Sequence, residues 1–285
     1  MSFPILLADS GATKTIWYWV DAQQSMTYTT TGCQPYYATV AELTARLRAE
    51  LLPLLPPAPP TTVWFYGAGC GAAAPRPRVV DALRACFSMA TLDVSGDLLG
   101  AARATAGRAA GICCILGTGS ASGHYDGQAI VDQVPSLGYL LGDEGAGADL
   151  GRQLLRAYFY RQMPPDVQRA FESRYQPDRH QIIQQLLDGK QPSRTLAGYA
   201  LFAAEWKTHS FIQALVASRF AVLLDGQIAQ YEGVQSLPIH AIGSVVNGFK
   251  DLWRQALKTR SWKIGHIYKS PFPVLLDYHR KKLSQ

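Results

Sequence analysis

The chain is poor in charge, with Asp, Glu, Lys and Arg making up 17% of its 285 residues against 48% hydrophobic residues. That balance excludes a disordered polymer, which carries few apolar groups and much charge. Cysteine is scarce: Cys33, Cys70, Cys86, Cys113 and Cys114 are odd in number and contain no C-x-x-C pair. A disulfide framework or a structural zinc site is therefore not expected, and reduced thiols fit a cytoplasmic protein. No apolar run approaches the ~18 residues of a membrane span. The opening MSFPILLADSG lacks the basic region of a signal peptide and reads as a buried strand. A Walker A loop, G-x-x-x-x-G-K-[ST] opening a helix, is also missing. The 25 Gly and 17 Pro have no period, which excludes a collagen-like chain.

The formal charge is +6, and its distribution decides its meaning. Between Lys250 and Gln285 nine Lys and Arg face two acids, while the preceding residues are close to neutral. The basic residues alternate there with Trp253, Trp262, Ile264 and Tyr268, the pattern of amphipathic surface elements. Neither nucleic acid nor membrane is expected as a partner.

Residues 3 to 8 and 16 to 20 read as two strands of a hairpin joined by a turn rich in Gly and hydroxyl residues, with a third strand at 25 to 30. A helix over 39 to 52 is closed by PLLPPAPPTT. A strand at 62 to 69, a helix at 76 to 87, a strand at 91 to 95 and an Ala-rich helix from Asp97 follow. A near repeat then begins with the strand 111 to 116, again ending in a Gly/Ser/Thr turn and followed by short strands around 121 to 125 and 128 to 132. Helices are predicted over 144 to 162, 165 to 175, 179 to 187, 208 to 230 and 250 to 258, a strand over 237 to 242, and a last helix after Pro273 that returns to the first lobe. Length beyond one ordinary core and the internal repeat predict two related α/β lobes. Their expected limits are 1–107 plus 272–285, and 108–271.

Three turns carry chemistry. In the first, Asp9 precedes Ser10, Gly11, Ala12, Thr13, Lys14 and Thr15. Small residues let backbone N–H groups approach a phosphate, hydroxyls can donate to it, and a carboxylate can hold a hydrated divalent cation. The second, Gly117, Thr118, Gly119 and Ser120, has the same character after an equally apolar strand, and the third begins at Gly243 and Ser244. Asp97, where a strand meets a helix, reads as a helix cap, with Asp93, four residues earlier within the strand, as the rival carboxylate. Asp143 and Glu144 stand between glycines at a predicted helix start, as a capping acid and its neighbour. His124, His209 and His240 have no partner at metal-ligand spacing, His180, His266 and His279 sit in polar surroundings, and all six read as structural or surface residues.

In this order the three turns resemble those of the actin, sugar kinase and Hsp70 ATPase superfamily. Within it, LGTGS, SLGYLLGDEGAGADLG, AIGSVVNGFKD and LLDYH resemble the N-acetylglucosamine kinases, grouped with the BadF/BadG/BcrA/BcrD-type ATPases. The resemblance implies two ribonuclease H-like lobes, each a mixed five-stranded sheet flanked by helices, with a nucleotide and sugar cleft between them. It implies ATP-dependent phosphorylation of a hexosamine, N-acetylglucosamine to its 6-phosphate, with Mg²⁺ accompanying ATP and a homodimer as the assembly. By resemblance Asp97 is the general base and Asp9 the metal contact. Residues 10–15 and 117–120 bind the phosphates, and Gly243 and Ser244 the adenosine. Gln34, Asp97, Thr118, Gly138, Asp143 and Glu144 bind the sugar. Gln34 and Leu137 depart from the pattern, standing where relatives carry asparagine and human-type enzymes carry tryptophan. Two other functions share the superfamily: an ATPase activating a 2-hydroxyacyl-CoA dehydratase or benzoyl-CoA reductase, and a non-catalytic sugar or nucleotide sensor.

Overall fold

Four successive apolar residues, Ile5 to Ala8, leave the first strand, β1 (Ile5–Ser10), no side suited to water, and it becomes the middle of a sheet. The computed structural model describes residues 4–11, 13–33, 35–189, 191–272 and 274–283, the side chains of 281–283 excepted. The chain divides into two compact units, Met1–Gly107 with Pro271–Gln285, and Arg108–Ser270.

In the first unit β1 pairs antiparallel with β2 (Lys14–Val20), which pairs antiparallel with β3 (Ser25–Thr31). On its other side β1 runs parallel to β4 (Thr62–Gly67), and β4 parallel to β5 (Thr91–Gly96), giving the order β3-β2-β1-β4-β5. Helix α1 (Val40–Arg46) starts with a capping box between Thr39 and Glu42, widens into a π turn over Leu47–Leu51 and tightens to a 3₁₀ turn over Leu52–Leu54, where Pro53 ends the predicted helix. Helices α2 (Arg76–Cys86) and α3 (Asp97–Ala106) follow β4 and β5. Alternation sorts the strand side chains onto two faces. Leu6, Ala8, Trp17, Trp19, Val63 and Phe65 pack with Leu43 of α1 and Val79 and Leu83 of α2.

The second unit repeats this plan. Strand β6 (Gly111–Leu116) pairs antiparallel with β7 (Ser120–Tyr125), β7 with β8 (Ile130–Asp132), and β6 runs parallel to β9 (Pro238–Ile242) and β9 to β10 (Lys263–Tyr268). The order β10-β9-β6-β7-β8 matches the first sheet strand for strand. Between β8 and β9 lie α4 (Gly138–Leu141), α5 (Gly147–Phe159), α6 (Pro165–Tyr175), α7 (Arg179–Asp188), α8 (Pro192–Glu205) and α9 (Ser210–Gly226); α10 (Ser244–Gly248) and α11 (Lys250–Lys258) join β9 to β10. Neither α8 nor β10 is predicted by the sequence, and α5 starts at Gly147, three residues later than expected. One stretch, Ser210–Gln230, is long and apolar enough to cross a membrane by length and composition, against the expectation that none is. Its Ile212, Val216, Phe220, Leu223 and Leu224 lie in the core of this unit.

The last helix, α12 (Val274–Leu283), belongs to the first unit. Leu275 and Leu276 pack with Phe272, Ala104 of α3 and the second face of the sheet, Ile5, Leu7, Val20, Trp64 and Tyr66.

Candidate active-site loops

Parallel strands present their carboxyl ends on one edge of a sheet, the place where α/β proteins bind ligands. In the first unit Asp9 is in register with Tyr66, and Tyr66 with Ser95; one step on, Ser10, Gly67 and Gly96 are aligned. Asp9 and Asp97 therefore share this edge. The Asp9 carboxyl is pushed up to about 7, first by burial and then by the negative charge of Asp97, with Lys14 opposing. Asp97 opens α3 and accepts a hydrogen bond from its neighbour Leu98 N–H at 2.9 Å. Burial raises its carboxyl to about 6, while that backbone bond opposes the rise. Asp93 instead accepts from Ser95 Oγ at 3.2 Å, inside β5.

Two hydroxyls of the first turn face inward. Ser10 and Thr15 are buried and bonded to each other at 2.7 Å, and Ser10 Oγ also accepts from Cys33 N–H at 3.1 Å. Gly11 N–H donates to Lys14 O at 3.0 Å and closes the turn. Gly11 and the Lys14 side chain are exposed, and Thr13 is half-buried. Ala12 and Gln34 lie outside the described residues.

The second unit builds its turn more fully. Gly117 N–H donates to Gly119 O at 3.0 Å, Gly147 N–H to Gly117 O at 2.9 Å and Ala148 N–H to Thr118 O at 2.9 Å, which fixes the turn to the start of α5. The buried Asp143, in the left-handed region at φ 60°, accepts Ser120 N–H at 2.9 Å. A Cβ on Gly119 would stand 2.8 Å from both of its carboxylate oxygens, so any larger residue must displace that carboxylate. Burial raises the Asp143 carboxyl above its ordinary range, the Ser120 bond opposing. Among the described residues the N–H groups of Thr118 and Gly119 have no acceptor, and the buried Ser120 Oγ has no partner. Three donors remain in one turn, the set an oxyanion requires.

Gly243, at φ 134°, lies across this turn: its Cβ position is 2.1 Å from Leu116 O and 3.1 Å from Gly117 N. Ser244 is exposed beside it. Glu144 accepts from Gln227 Nε2 at 2.7 Å, and Gly138, at φ 66°, opens α4 next to the exposed Leu137. Cys113 and Cys114 are both buried within β6.

Asp149 is the important residue that the sequence reading passes over. Fully enclosed, it accepts from Gly145 N–H, Arg152, Gln153 and Arg219, the last at 2.7 Å. It anchors the GDEG loop to α5 and α9. The signal was present: an acid within the apolar run GAGADLG must be paired if it is buried.

No protein-family model and no curated protein sequence matches the chain. Among solved structures, a protein of Porphyromonas gingivalis described as a "putative N-acetylglucosamine kinase" matches over 98% of this chain and 99% of its own, with 36% identity and a TM-score of 0.93. A Chromobacterium violaceum protein with the same description covers 96% of this chain and 98% of its own at 18% identity and a TM-score of 0.70, a likeness of fold. Duplicated sheets, glycine turns at the strand ends and these matches define a sugar kinase of the actin-like ATPase class. Within that class the chain belongs to the N-acetylglucosamine kinase family.

Proposed function

We propose that the protein transfers the γ-phosphoryl group of ATP to the 6-hydroxyl of N-acetylglucosamine or a close hexosamine. The observation that carries this reading is Asp97, a carboxylate at a strand end, raised to about 6 by burial and electrostatically coupled to Asp9. A base of that strength is largely ionised at neutral pH yet holds a proton readily, which suits it to orient an acceptor hydroxyl and take its proton. The exposed part of the first turn and the three donors of Thr118, Gly119 and Ser120 hold phosphate oxygens. Gly243 and Ser244 meet the adenosine. Asp143, Glu144, Thr118, Gly138 and Gln34 meet the sugar, where a carboxylate accepts paired hydroxyl bonds.

The residues present fit Mg²⁺. Asp9 offers a hard oxygen ligand at the end of β1, and its carboxyl, pushed up by burial beside a second acid, gains from a cation there. Mg²⁺ needs only one or two carboxylates beside water and phosphate. Held there, the ion would supply positive charge against the phosphates of ATP. The reduced thiols support a cytoplasmic enzyme, and the family resemblance supports a homodimer.

The test is coupled detection of ADP with and without N-acetylglucosamine. Release that depends on the sugar is expected. Release indifferent to it favours an ATPase, and turnover unchanged in Asp97→Asn removes Asp97 as the base.

A further inference from the structure

Single exposed aromatics are ordinary on protein surfaces. Tyr36, 59% exposed on the loop after β3, differs in how firmly it is held. Arg78 of α2, itself exposed, donates from Nη1 to two successive carbonyls of that loop, Pro35 O at 2.8 Å and Tyr36 O at 3.3 Å. The loop's other end is tied by Cys33 N–H to Ser10 Oγ on the strand that carries Asp9. The ring lies against Gly69, where an added Cβ would stand 2.7 Å from Tyr36 Cε2 and the backbone has φ 83°. Gly71 of the same loop is pressed on Gly96, whose Cβ position is 2.9 Å from Gly71 Cα, and Gly96 precedes Asp97. A fixed aromatic ring is thus joined to Asp97 through Gly69, on which the ring lies, and through the close backbone contact of Gly71 with Gly96.

We infer that Tyr36 is a specificity-determining residue of the acceptor site, its ring receiving the apolar C–H face of a pyranose, and that Arg78 positions it. The inference rests on the kinase reading above. A pyranose exposes hydroxyls at its rim and C–H groups on its face, so it needs a hydrogen-bonding carboxylate in one direction and a flat apolar surface in another. Asp97 supplies the first; the Tyr36 ring supplies the second and releases water from both surfaces on contact. The neighbouring Tyr37, 86% exposed, has no such clamp and serves as a control.

The experiment measures sugar-dependent ADP release by wild type, Tyr36→Ala, Tyr36→Leu, Tyr36→Phe, Arg78→Ala and Tyr37→Ala, with KM for both substrates and Tm. Tyr36→Ala and Tyr36→Leu are expected to raise the KM for N-acetylglucosamine roughly tenfold, the factor that loss of an aromatic contact gives. KM for ATP and Tm stay near wild type. Tyr36→Phe keeps the ring face and stays near wild type, Arg78→Ala raises the sugar KM in the same direction, and Tyr37→Ala changes nothing. A sugar KM within twofold of wild type in both Tyr36→Ala and Tyr36→Leu overturns the inference while the kinase reading stands. So does a Tyr36→Phe variant as impaired as Tyr36→Ala, or a fall in Tm and ATP affinity that parallels the sugar KM. If wild type releases no ADP with any hexose, the kinase reading fails first and this inference falls with it.

Discussion

Asp9 and Asp97 are two carboxyls whose protons are held more tightly in the folded chain than outside it. Activity is expected to rise as pH passes through about 6, where Asp97 loses its proton. Asp97→Asn should lower kcat by about 10²- to 10⁴-fold with little change in KM for ATP, checked by steady-state kinetics. The same protons affect stability in the opposite sense. A carboxyl raised on folding favours the fold below its unfolded pKa, near 3.8, and that contribution disappears as pH rises through about 6 for Asp97 and about 7 for Asp9. Melting of ligand-free Asp9→Asn beside wild type should therefore show the difference in Tm moving in favour of the variant from pH 5 to pH 8. A constant difference would reject this account.

At the scale of elements, glycines decide where helices and strands approach. A Cβ on Gly151 of α5 would lie 1.8 Å from Leu196 O of α8, so Gly151→Ala must separate the two helices; a loss of about 3 kcal/mol is expected in urea unfolding. In the second sheet, His240 of β9 is wedged against Gly111 and Gly265, and its Nδ1 accepts His266 N–H at 3.0 Å. Burial, then His266, depresses it from 6.5 to about 4. Its contribution is complete above 6.5 and is lost as pH falls through 4, so His240→Asn should flatten the acid side of the urea-midpoint profile between pH 7 and 4. The same strands show why some elements were hidden in the sequence. β10 is an edge strand whose residues are all at least partly exposed, so KIGHIY carries no hydrophobic alternation to mark it. α8 begins with Pro192 at its first turn, a valid start signal, but Gly198 interrupts its interior and the stretch DGKQPS across its start has the composition of a loop. The glycine turns were legible because each directly follows an apolar run. The clasp of Asp143 on Ser120 was not, because it joins residues 23 positions apart through a backbone turn that composition does not encode.

For the molecule as a whole, the repeated strand order was readable from two copies of strand, turn, strand, strand, and the sheets carry it out with identical pairing sense. The first unit nevertheless depends on the chain's far end. Tyr66 OH is 2.7 Å from His279 Nε2 and accepts from Arg103 Nη1 at 2.7 Å, while the His279 ring stacks on Trp64 at 3.9 Å. This joins α12 to α3, whose first residue is Asp97. A chain ending at Ser270 should leave Ile5, Leu7 and Trp64 uncovered and lose ADP release. Limited proteolysis of that chain should spare a fragment near residues 108–270 and degrade the N-terminal part. Equal resistance of both parts would show that α12 is dispensable.

That partnership also sets an order of events during synthesis. Tyr66 and His279 are separated by 213 positions, so at ribosomal speed the inner face of the first sheet waits roughly 10 to 40 s for its cover. The middle of the chain can finish folding in that interval. The half that is made first is then completed last, with only α3 covering that sheet face until α12 emerges.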